Sequence, residues 1–216
     1  MTILALDRLD DKIDMECDSS LFFKLPKPHQ VIVELILGLG LDLNKIKILD
    51  VACGHNFPII KWFSDNNSGP VLSGYLASQG ANVIGIDQWS YKKSKGFNSD
   101  NLILKSGMAQ RISKYFSENS FDLVISSAYF GCPSSRGERD FSSAREYSIM
   151  KQIFDVTKHG GYGIHFLIDE YWQLDNIDLN RIGYNVKSGL RKDLVLDNLK
   201  NSTEILKKIV LLQKSF

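Results

Sequence analysis

The sequence predicts an α/β domain in which a mostly parallel sheet carries helices on both of its faces. Short apolar runs rich in β-branched residues recur along the chain, as is typical of buried strands. Segments with helical spacing separate them, and this alternation indicates parallel pairing because each helix must cross back over the sheet. The predicted strands are Ile46–Ala52, Asn82–Asp87, Leu102–Lys105, Phe121–Ser126, Tyr162–Ile168 and Gly183–Lys187.

A seventh strand is predicted near the C-terminus, over Glu204–Gln213. It would close an antiparallel hairpin with Gly183–Lys187. The competing interpretation is a C-terminal helix, because Asn201–Glu204 reads as a helix-capping sequence. The strand is favoured.

The predicted helices lie between these strands and before the first of them. Residues 1–44 are interpreted as an N-terminal helical cap or lid on a single domain, residues 45–216. Phe22 and Phe23 in this segment would either join the core or cover a ligand site. The predicted helices are His29–Gly40, Phe57–Phe63, Val71–Gln79, a segment ending near Phe116, and Ser143–Thr157. A left-handed end is expected at Gly80, after the third of these helices. Gly160–Gly161 separate the last helix from the strand that follows it.

The composition is that of an ordinary globular domain of 216 residues, 44% of them hydrophobic and 24% charged. A formal net charge of +1 gives no general attraction to phosphate backbones or acidic membranes, so neither is an expected partner. Three widely spaced cysteines suggest neither a disulfide framework nor a zinc site. No signal peptide or membrane span is expected, and the protein is predicted to be cytoplasmic and to hold no metal.

The stretch Lys47–Asn56 carries the clearest functional signal. An apolar strand ends in a carboxylate, Asp50, and passes into the small residues Ala52 and Gly54. Such a turn lets a ligand approach the backbone, and the carboxylate offers an acceptor to a cationic or hydroxyl-bearing ligand. A purely structural turn is the alternative.

The ends of other predicted strands strengthen the functional interpretation. Asp87, Met108 and Ser126 fall at or just after three further strand ends. In an open parallel sheet, ligands bind at the carboxyl ends of the strands where the strand order reverses. One crevice lined by several strand ends is therefore expected.

At these residues the sequence resembles the class I S-adenosylmethionine-dependent methyltransferases. Leu49-Asp-Val-Ala-Cys-Gly-His55 is similar to their glycine-rich first motif, and Gly80-Ala-Asn-Val-Ile-Gly-Ile-Asp87 to their second strand. Phe121-Asp-Leu-Val-Ile-Ser126 resembles their fourth strand, and Lys158-His-Gly-Gly-Tyr162 the turn before the fifth. The resemblance implies a Rossmann-like, mostly parallel seven-stranded sheet that binds S-adenosylmethionine.

The resemblance also implies roles for individual residues. Asp87 would accept hydrogen bonds from both ribose hydroxyls, and Asp50 would reach the amino group of the cofactor. The turn after the first strand would lie beneath the methionine moiety, and residues after the second and third strands would contact the adenine. The implied cofactor-binding set is Asp50, Ala52, Cys53, Gly54, Asn56, Asp87, Gln88, Trp89, Met108, Ala109, Gln110 and Ser126.

Three departures from the family pattern stand out. Asn56 replaces a glycine of the first motif, although asparagine can adopt the same backbone. Met108 replaces an acidic residue, which leaves Gln110 as the side-chain acceptor for the adenine amine. Asp87 lies 33 positions after Gly54, where about 20 are expected. The surplus, Trp62–Gly69, is either a lid or a surface insertion.

The predicted function is transfer of a methyl group to an oxygen or nitrogen of a small molecule, by a monomer or homodimer. Tyr129 is the candidate contact to the acceptor, and His55 is a candidate base. Arginines in the loop Gly131–Arg145 either grip an anionic substrate or pair within the loop. The alternatives are an RNA- or protein-methylating subunit, a non-catalytic cofactor-binding protein and, less favoured, a dinucleotide-dependent oxidoreductase, for which the GxGxxG signature is missing.

Overall fold

The computed structural model describes residues 22–23, 25–53, 70–88, 100–130, 143–167, 174–186 and 209–215. Within these ranges seven strands form one sheet in the order β3-β2-β1-β4-β5-β7-β6. This confirms the predicted seven-stranded sheet. The strands are β1 (Lys47–Val51), β2 (Asn82–Asp87), β3 (Leu102–Ser106), β4 (Phe121–Phe130), β5 (Thr157–Leu167), β6 (Tyr184–Val186) and β7 (Ile209–Lys214).

The first five strands pair in parallel, and β7 runs antiparallel to both of its neighbours, β5 and β6. The predicted antiparallel C-terminal strand is thus confirmed. The competing helix is wrong over Ile209–Lys214, where the residues alternate between the two buried faces of the sheet. A strand inserted between β5 and β6 satisfies the backbone groups of both, which a helix at this position would leave unpaired.

Five α-helices, beside two short 3-10 helices, lie in the described part of the chain, and the α-helices cover both faces of the sheet. The helices α1 and α2 pack on the face that carries Ile48 and Leu123, whereas α3, α4 and α5 pack on the face that carries Leu49 and Val124. Adjacent strand residues enter opposite cores because side chains alternate along a strand. The helices are α1 (Lys27–Gly38), α2 (Val71–Ser78), α3 (Ile112–Tyr115), α4 (Ser143–Val156) and α5 (Asn176–Ile182).

The ends of two helices show how the local sequence sets their limits. Gly80 has a φ of 97°, which confirms the left-handed end predicted for α2. Helix α5 was not predicted, although its signals were present. Asp175 and Asp178 form a reciprocal capping box at its start, and Gly183, with a φ of 111°, ends it.

In strands β1 to β6, several predicted boundaries differ from the observed ones by one residue, and two, the end of β4 and the start of β5, differ by more. Strand β4 continues to Phe130, so Ser126 lies inside the strand and not at its end. Strand β5 begins at Thr157, directly after α4, so Gly160–Gly161 lie within it. The pairing of β4 with β5 is irregular at this point, between Phe121 and Leu123. Gly160 has a φ of 75°, and a Cβ on Gly161 would lie 2.9 Å from the carbonyl oxygen of Asp122, so both positions favour glycine. The predicted helix Phe57–Phe63 lies outside the described residues.

The N-terminal segment packs on the core through α1, whose residues 30–36 are buried. Phe22 is partly buried and its ring centroid lies 6.2 Å from that of Tyr75, whereas Phe23 is 64% exposed. The division at residues 44 and 45 stays a prediction. None of the helices described here is long and apolar enough to cross a membrane.

Candidate functional site

The candidate site lies at the carboxyl ends of β1, β2 and β3, beside the point where the strand order reverses between β1 and β4. Backbone hydrogen bonds join the three strand ends. The amide of Cys53 donates to the carbonyl of Ile86 at 3.2 Å, and the amide of Gly107 donates to the carbonyl of Asp87 at 2.7 Å. These bonds bring the turn after β1 and the turn after β3 to the end of β2.

The turn after β1 begins with an unusual backbone. Ala52 has a φ of 57°, in the left-handed region that favours glycine. An L-residue with a Cβ pays about 1–2 kcal/mol there. The next residue, Cys53, is buried. Sequence reasoning placed both residues in the turn but missed the strain, because alanine gives no signal for a left-handed backbone.

Asp50, on β1, is the buried carboxylate of the site. The side chain is fully buried, and the hydroxyl of Ser73 on α2 donates to Oδ2 at 2.6 Å. Among the described residues, no hydrogen bond reaches the other oxygen, Oδ1. Burial raises the pKa of Asp50 to about 7; the Ser73 hydrogen bond opposes this rise, and the charge of Asp87 adds to it.

Gly85 on β2 makes this arrangement sterically possible. It lies opposite Asp50 in the β1–β2 register. A Cβ on Gly85 would lie 2.7 Å from Sγ of Cys53 and 3.2 Å from Oγ of Ser73. The missing side chain therefore lets the turn and helix α2 approach the sheet closely. Sequence reasoning missed both Gly85 and Ser73.

Asp87 ends β2 and is buried, with 8% of its surface exposed, and Gln88 follows it as an exposed residue. The ribose and adenine contacts of these two residues stay predictions. Trp89, another residue of the implied cofactor-binding set, lies outside the described residues, as do Gly54, His55 and Asn56.

The turn after β3 carries the third group of residues that were predicted to contact the cofactor. Met108 is 46% exposed, whereas Ala109 is buried. The amide of Met108 donates to the Tyr115 hydroxyl at 3.4 Å. The side chain of Gln152 on α4 donates to the carbonyl of Gln110 at 2.9 Å. This turn is therefore held against α4, a contact that the sequence alone did not reveal.

Ser126 is paired within the sheet. Its hydroxyl lies 2.9 Å from Nδ1 of His165, its direct neighbour on β5, and both side chains are fully buried. Burial lowers the pKa of His165 to about 3, so the imidazole is neutral. The predicted strand-end position of Ser126 is wrong because β4 is longer than predicted, and its cofactor contact stays a prediction.

The remaining predicted residues are only partly located. Tyr129 is the second-to-last residue of β4. The stretch Trp62–Gly69, for which a lid and a surface insertion were both open, lies outside the described ranges, as do residues 131–142 of the arginine-bearing loop. Within those ranges, no group of three or more His, Cys, Asp or Glu side chains could hold a metal ion.

Comparisons with known proteins support the fold. No protein-family model matches the sequence, and no curated protein sequence matches it. Among solved structures, a 1,6-didemethyltoxoflavin-N1-methyltransferase from Burkholderia thailandensis is similar, with a TM-score of 0.56 and 11% identity, over 92% of this chain and 83% of that one.

Two further structures are similar over most of both chains. A TehB-like S-adenosylmethionine-dependent methyltransferase from Corynebacterium glutamicum has a TM-score of 0.54 and 16% identity, over 89% of each chain. A putative methyltransferase from Listeria monocytogenes has a TM-score of 0.50 and 15% identity, over 88% of this chain and 99% of that one. The chain therefore has the fold of the class I S-adenosylmethionine-dependent methyltransferases, as the sequence resemblance implied.

Proposed function

We propose that the protein is an S-adenosylmethionine-dependent methyltransferase that methylates an oxygen or nitrogen of a small molecule. The observation that supports this most directly is the carboxylate of Asp50. It is fully buried at the switch point of the sheet, and one of its oxygens receives no hydrogen bond from the described residues. A buried acceptor of this kind needs a donor, and a cationic donor satisfies it best.

The described residues fit the proposed cofactor. Oδ1 of Asp50 can accept from its ammonium group, and the carboxylate of Asp87, at the end of the neighbouring strand, can accept from two vicinal hydroxyls. Ala52 and Cys53 both have small side chains, which would let the cofactor approach the backbone of this turn. Ala109 and Gln110 follow β3, the strand that pairs with β2, and would form hydrogen bonds with the edge of the adenine there.

When bound, S-adenosylmethionine supplies an electrophilic methyl group on a sulfonium. The task of the chain is then to hold an acceptor lone pair in line with that methyl group, and orientation alone supplies much of the rate. We assign this positioning to Tyr129, at the end of β4 next to the switch point, with His55 as a candidate base. A strong base is not required when the acceptor is already nucleophilic.

A small acceptor is favoured over a nucleic acid because the net charge of +1 provides no field to attract a polyanion. One structural neighbour, the 1,6-didemethyltoxoflavin-N1-methyltransferase, has 1,6-didemethyltoxoflavin and S-adenosylhomocysteine bound. The second candidate is a methylating subunit of an RNA- or protein-modifying complex. A non-catalytic cofactor-binding protein would share the site residues but show no turnover.

Calorimetric titration with S-adenosylmethionine and S-adenosylhomocysteine tests this proposal. We expect saturable binding to the wild type and its loss in Asp87→Ala, because the ribose hydroxyls then lose their acceptor. Asp42→Ala is the matched control, since Asp42 is an exposed residue that caps the 3-10 turn Leu43–Lys45. A well-folded wild type that binds neither compound would refute the proposal.

Turnover is then measured as formation of S-adenosylhomocysteine with panels of small hydroxyl and amine acceptors and, separately, with total RNA and cell lysate. Activity on small molecules supports the main proposal. Activity confined to RNA or lysate would favour the subunit of a complex, and cofactor binding with no turnover on any panel would favour the non-catalytic protein.

A further inference from the structure

Ser73 lies in the first turn of α2 and makes a short hydrogen bond to the buried carboxylate of the site. The distance of 2.6 Å from its Oγ to Oδ2 of Asp50 is in the range of hydroxyl donors to ionised carboxylates. Both side chains are fully buried. The bond is therefore shielded from water, which would otherwise compete for either partner.

The hydroxyl of Ser73 has one proton to donate, and it is used on Oδ2. The other oxygen, Oδ1, is left without a hydrogen bond from any residue that the structure describes. The bond thus fixes the rotation of the carboxylate about its Cβ–Cγ bond, and the two oxygens differ in their hydrogen-bond partners. One oxygen is bound by the protein, and the other is buried without a donor among the described residues.

The electrostatic surroundings of Asp50 leave its charge uncompensated. From β2, the group that acts on it is the carboxylate of Asp87, which opposes ionisation; from α2 it is the neutral hydroxyl of Ser73, which favours it. Among the described residues no lysine or arginine forms an ion pair with Asp50. A positive charge brought by a ligand would therefore be the partner that stabilises the ionised form.

The position of Ser73 depends on a close approach that few side chains would allow. A Cβ on Gly85 would meet Oγ of Ser73 at 3.2 Å and Sγ of Cys53 at 2.7 Å. Helix α2 can lie this close to β1 and β2 because Gly85 has no side chain. Glycine on the strand, serine on the helix and aspartate on the neighbouring strand form one packed unit.

We propose that Ser73 is a positioning residue for cofactor recognition: it holds Asp50 so that Oδ1 receives the ammonium group of the cofactor's methionine moiety. This inference rests on the proposed function. It predicts that Ser73 discriminates between ligands that carry this amino group and ligands that lack it, without itself contacting either.

A second consequence concerns protons. The pKa of Asp50, raised to about 7 by burial, means that the carboxyl is largely protonated at pH 6 in the unliganded protein. An ammonium group favours the ionised form, so binding of the cofactor at pH 6 should release a proton. Affinity should accordingly fall as the pH is lowered through 7, because binding must then deprotonate the carboxyl first.

The test compares Ser73→Ala with Ser78→Ala, on the same helix. The hydroxyl of Ser78 donates to the carbonyl of Tyr75 and is remote from Asp50, so it controls for loss of a helical serine. Each variant is titrated calorimetrically with S-adenosylhomocysteine, which carries the amino group, and with methylthioadenosine, which lacks it. Urea unfolding checks that each variant is folded.

For Ser73→Ala at pH 7 we expect affinity for S-adenosylhomocysteine to fall about tenfold or more, since the bond to a charged group is lost. Affinity for methylthioadenosine should stay within about twofold, and Ser78→Ala should match the wild type for both. The pH at which affinity falls should also move upward. In an Asp50→Asn background, Ser73→Ala should have little further effect on either ligand.

A wild-type measurement keeps the test valid even where Ser73→Ala fails to fold. Titration with S-adenosylhomocysteine at pH 6 in buffers of different ionisation enthalpy should show release of a proton, which is absent in Asp50→Asn. Equal weakening of both ligands by Ser73→Ala, or no weakening of either, would overturn the inference while leaving the proposed function in place. A folded wild type that binds neither ligand would instead overturn the proposed function itself.

Discussion

Replacing Asp50 by asparagine should stabilise the unliganded fold near neutral pH and weaken the binding of the cofactor without abolishing it. The side chain is fully buried, and its pKa rises from an ordinary value of 3.8 to about 7, chiefly because burial disfavours the charged form. Asparagine has nearly the same shape, carries no charge, and its oxygen can still accept from the hydroxyl of Ser73.

The magnitude follows from linkage. Between pH 3.8 and about 7 the unfolded chain has lost the Asp50 proton and the folded chain has kept it, so stability falls as the pH rises. Each pH unit in this interval costs up to about 1.4 kcal/mol. From pH 5 to pH 8 the wild type should thus lose about 3 kcal/mol that Asp50→Asn does not lose.

The assay is urea unfolding of the wild type and Asp50→Asn at pH 5, 6, 7 and 8, without ligand and at equal ionic strength. The variant should gain on the wild type as the pH rises to 7 and then hold its advantage. Asp42→Asn is the control: hydrogen bonds from Lys45 and Asn44 lower the pKa of this exposed carboxyl, so no gain with rising pH is expected. A difference between wild type and Asp50→Asn that stays constant from pH 5 to pH 8 would refute the reasoning.

Three further predictions concern single contacts, and each is measured by urea unfolding. Ala52→Gly should change stability by less than about 1 kcal/mol, towards stabilisation, because relief of the left-handed backbone outweighs the added freedom of the unfolded chain; a larger loss would contradict this. Gly163→Ala should cost about 1–3 kcal/mol, because its Cβ would lie 2.7 Å from Nε2 of His165, and the cost should shrink in a His165→Ala background. Lys214→Met should cost about 2–4 kcal/mol, because the buried ammonium of Lys214 donates at 2.8–3.0 Å to three oxygens, of which the carbonyl of Thr157 is buried and the other two are partly buried, whereas Lys45→Met, with a side chain 80% exposed, should change stability little. Equal costs for the two lysine variants would argue against the role of Lys214.

Much of the fold could be predicted because its signals are local. Strand β2 was predicted with its observed bounds, Asn82–Asp87, since a short run of apolar residues between Gly80 and Asp87 leaves little choice. The direction of the strands, parallel or antiparallel, was predicted from the alternation of strand and helix patterns and from the family resemblance. Boundaries were less certain where small polar residues interrupt an apolar run, because such residues can lie inside a buried strand: Ser126 is fully buried within Phe121–Phe130, which is longer than predicted.

The sequence by itself also determined which strand ends carry carboxylates, and the physics of parallel sheets then placed Asp50 and Asp87 at one edge. What it could not determine are the contacts between residues far apart in the chain. Ser73 meets Asp50 across 23 residues, and Ser126 meets His165 across 39. A lone serine or histidine has no periodic signature, and its role depends on how closely a helix or strand can approach. That approach is decided by packing, through residues such as Gly85, so only the tertiary structure shows that one oxygen of the Asp50 carboxylate accepts from Ser73 while, among the described residues, nothing donates to the other.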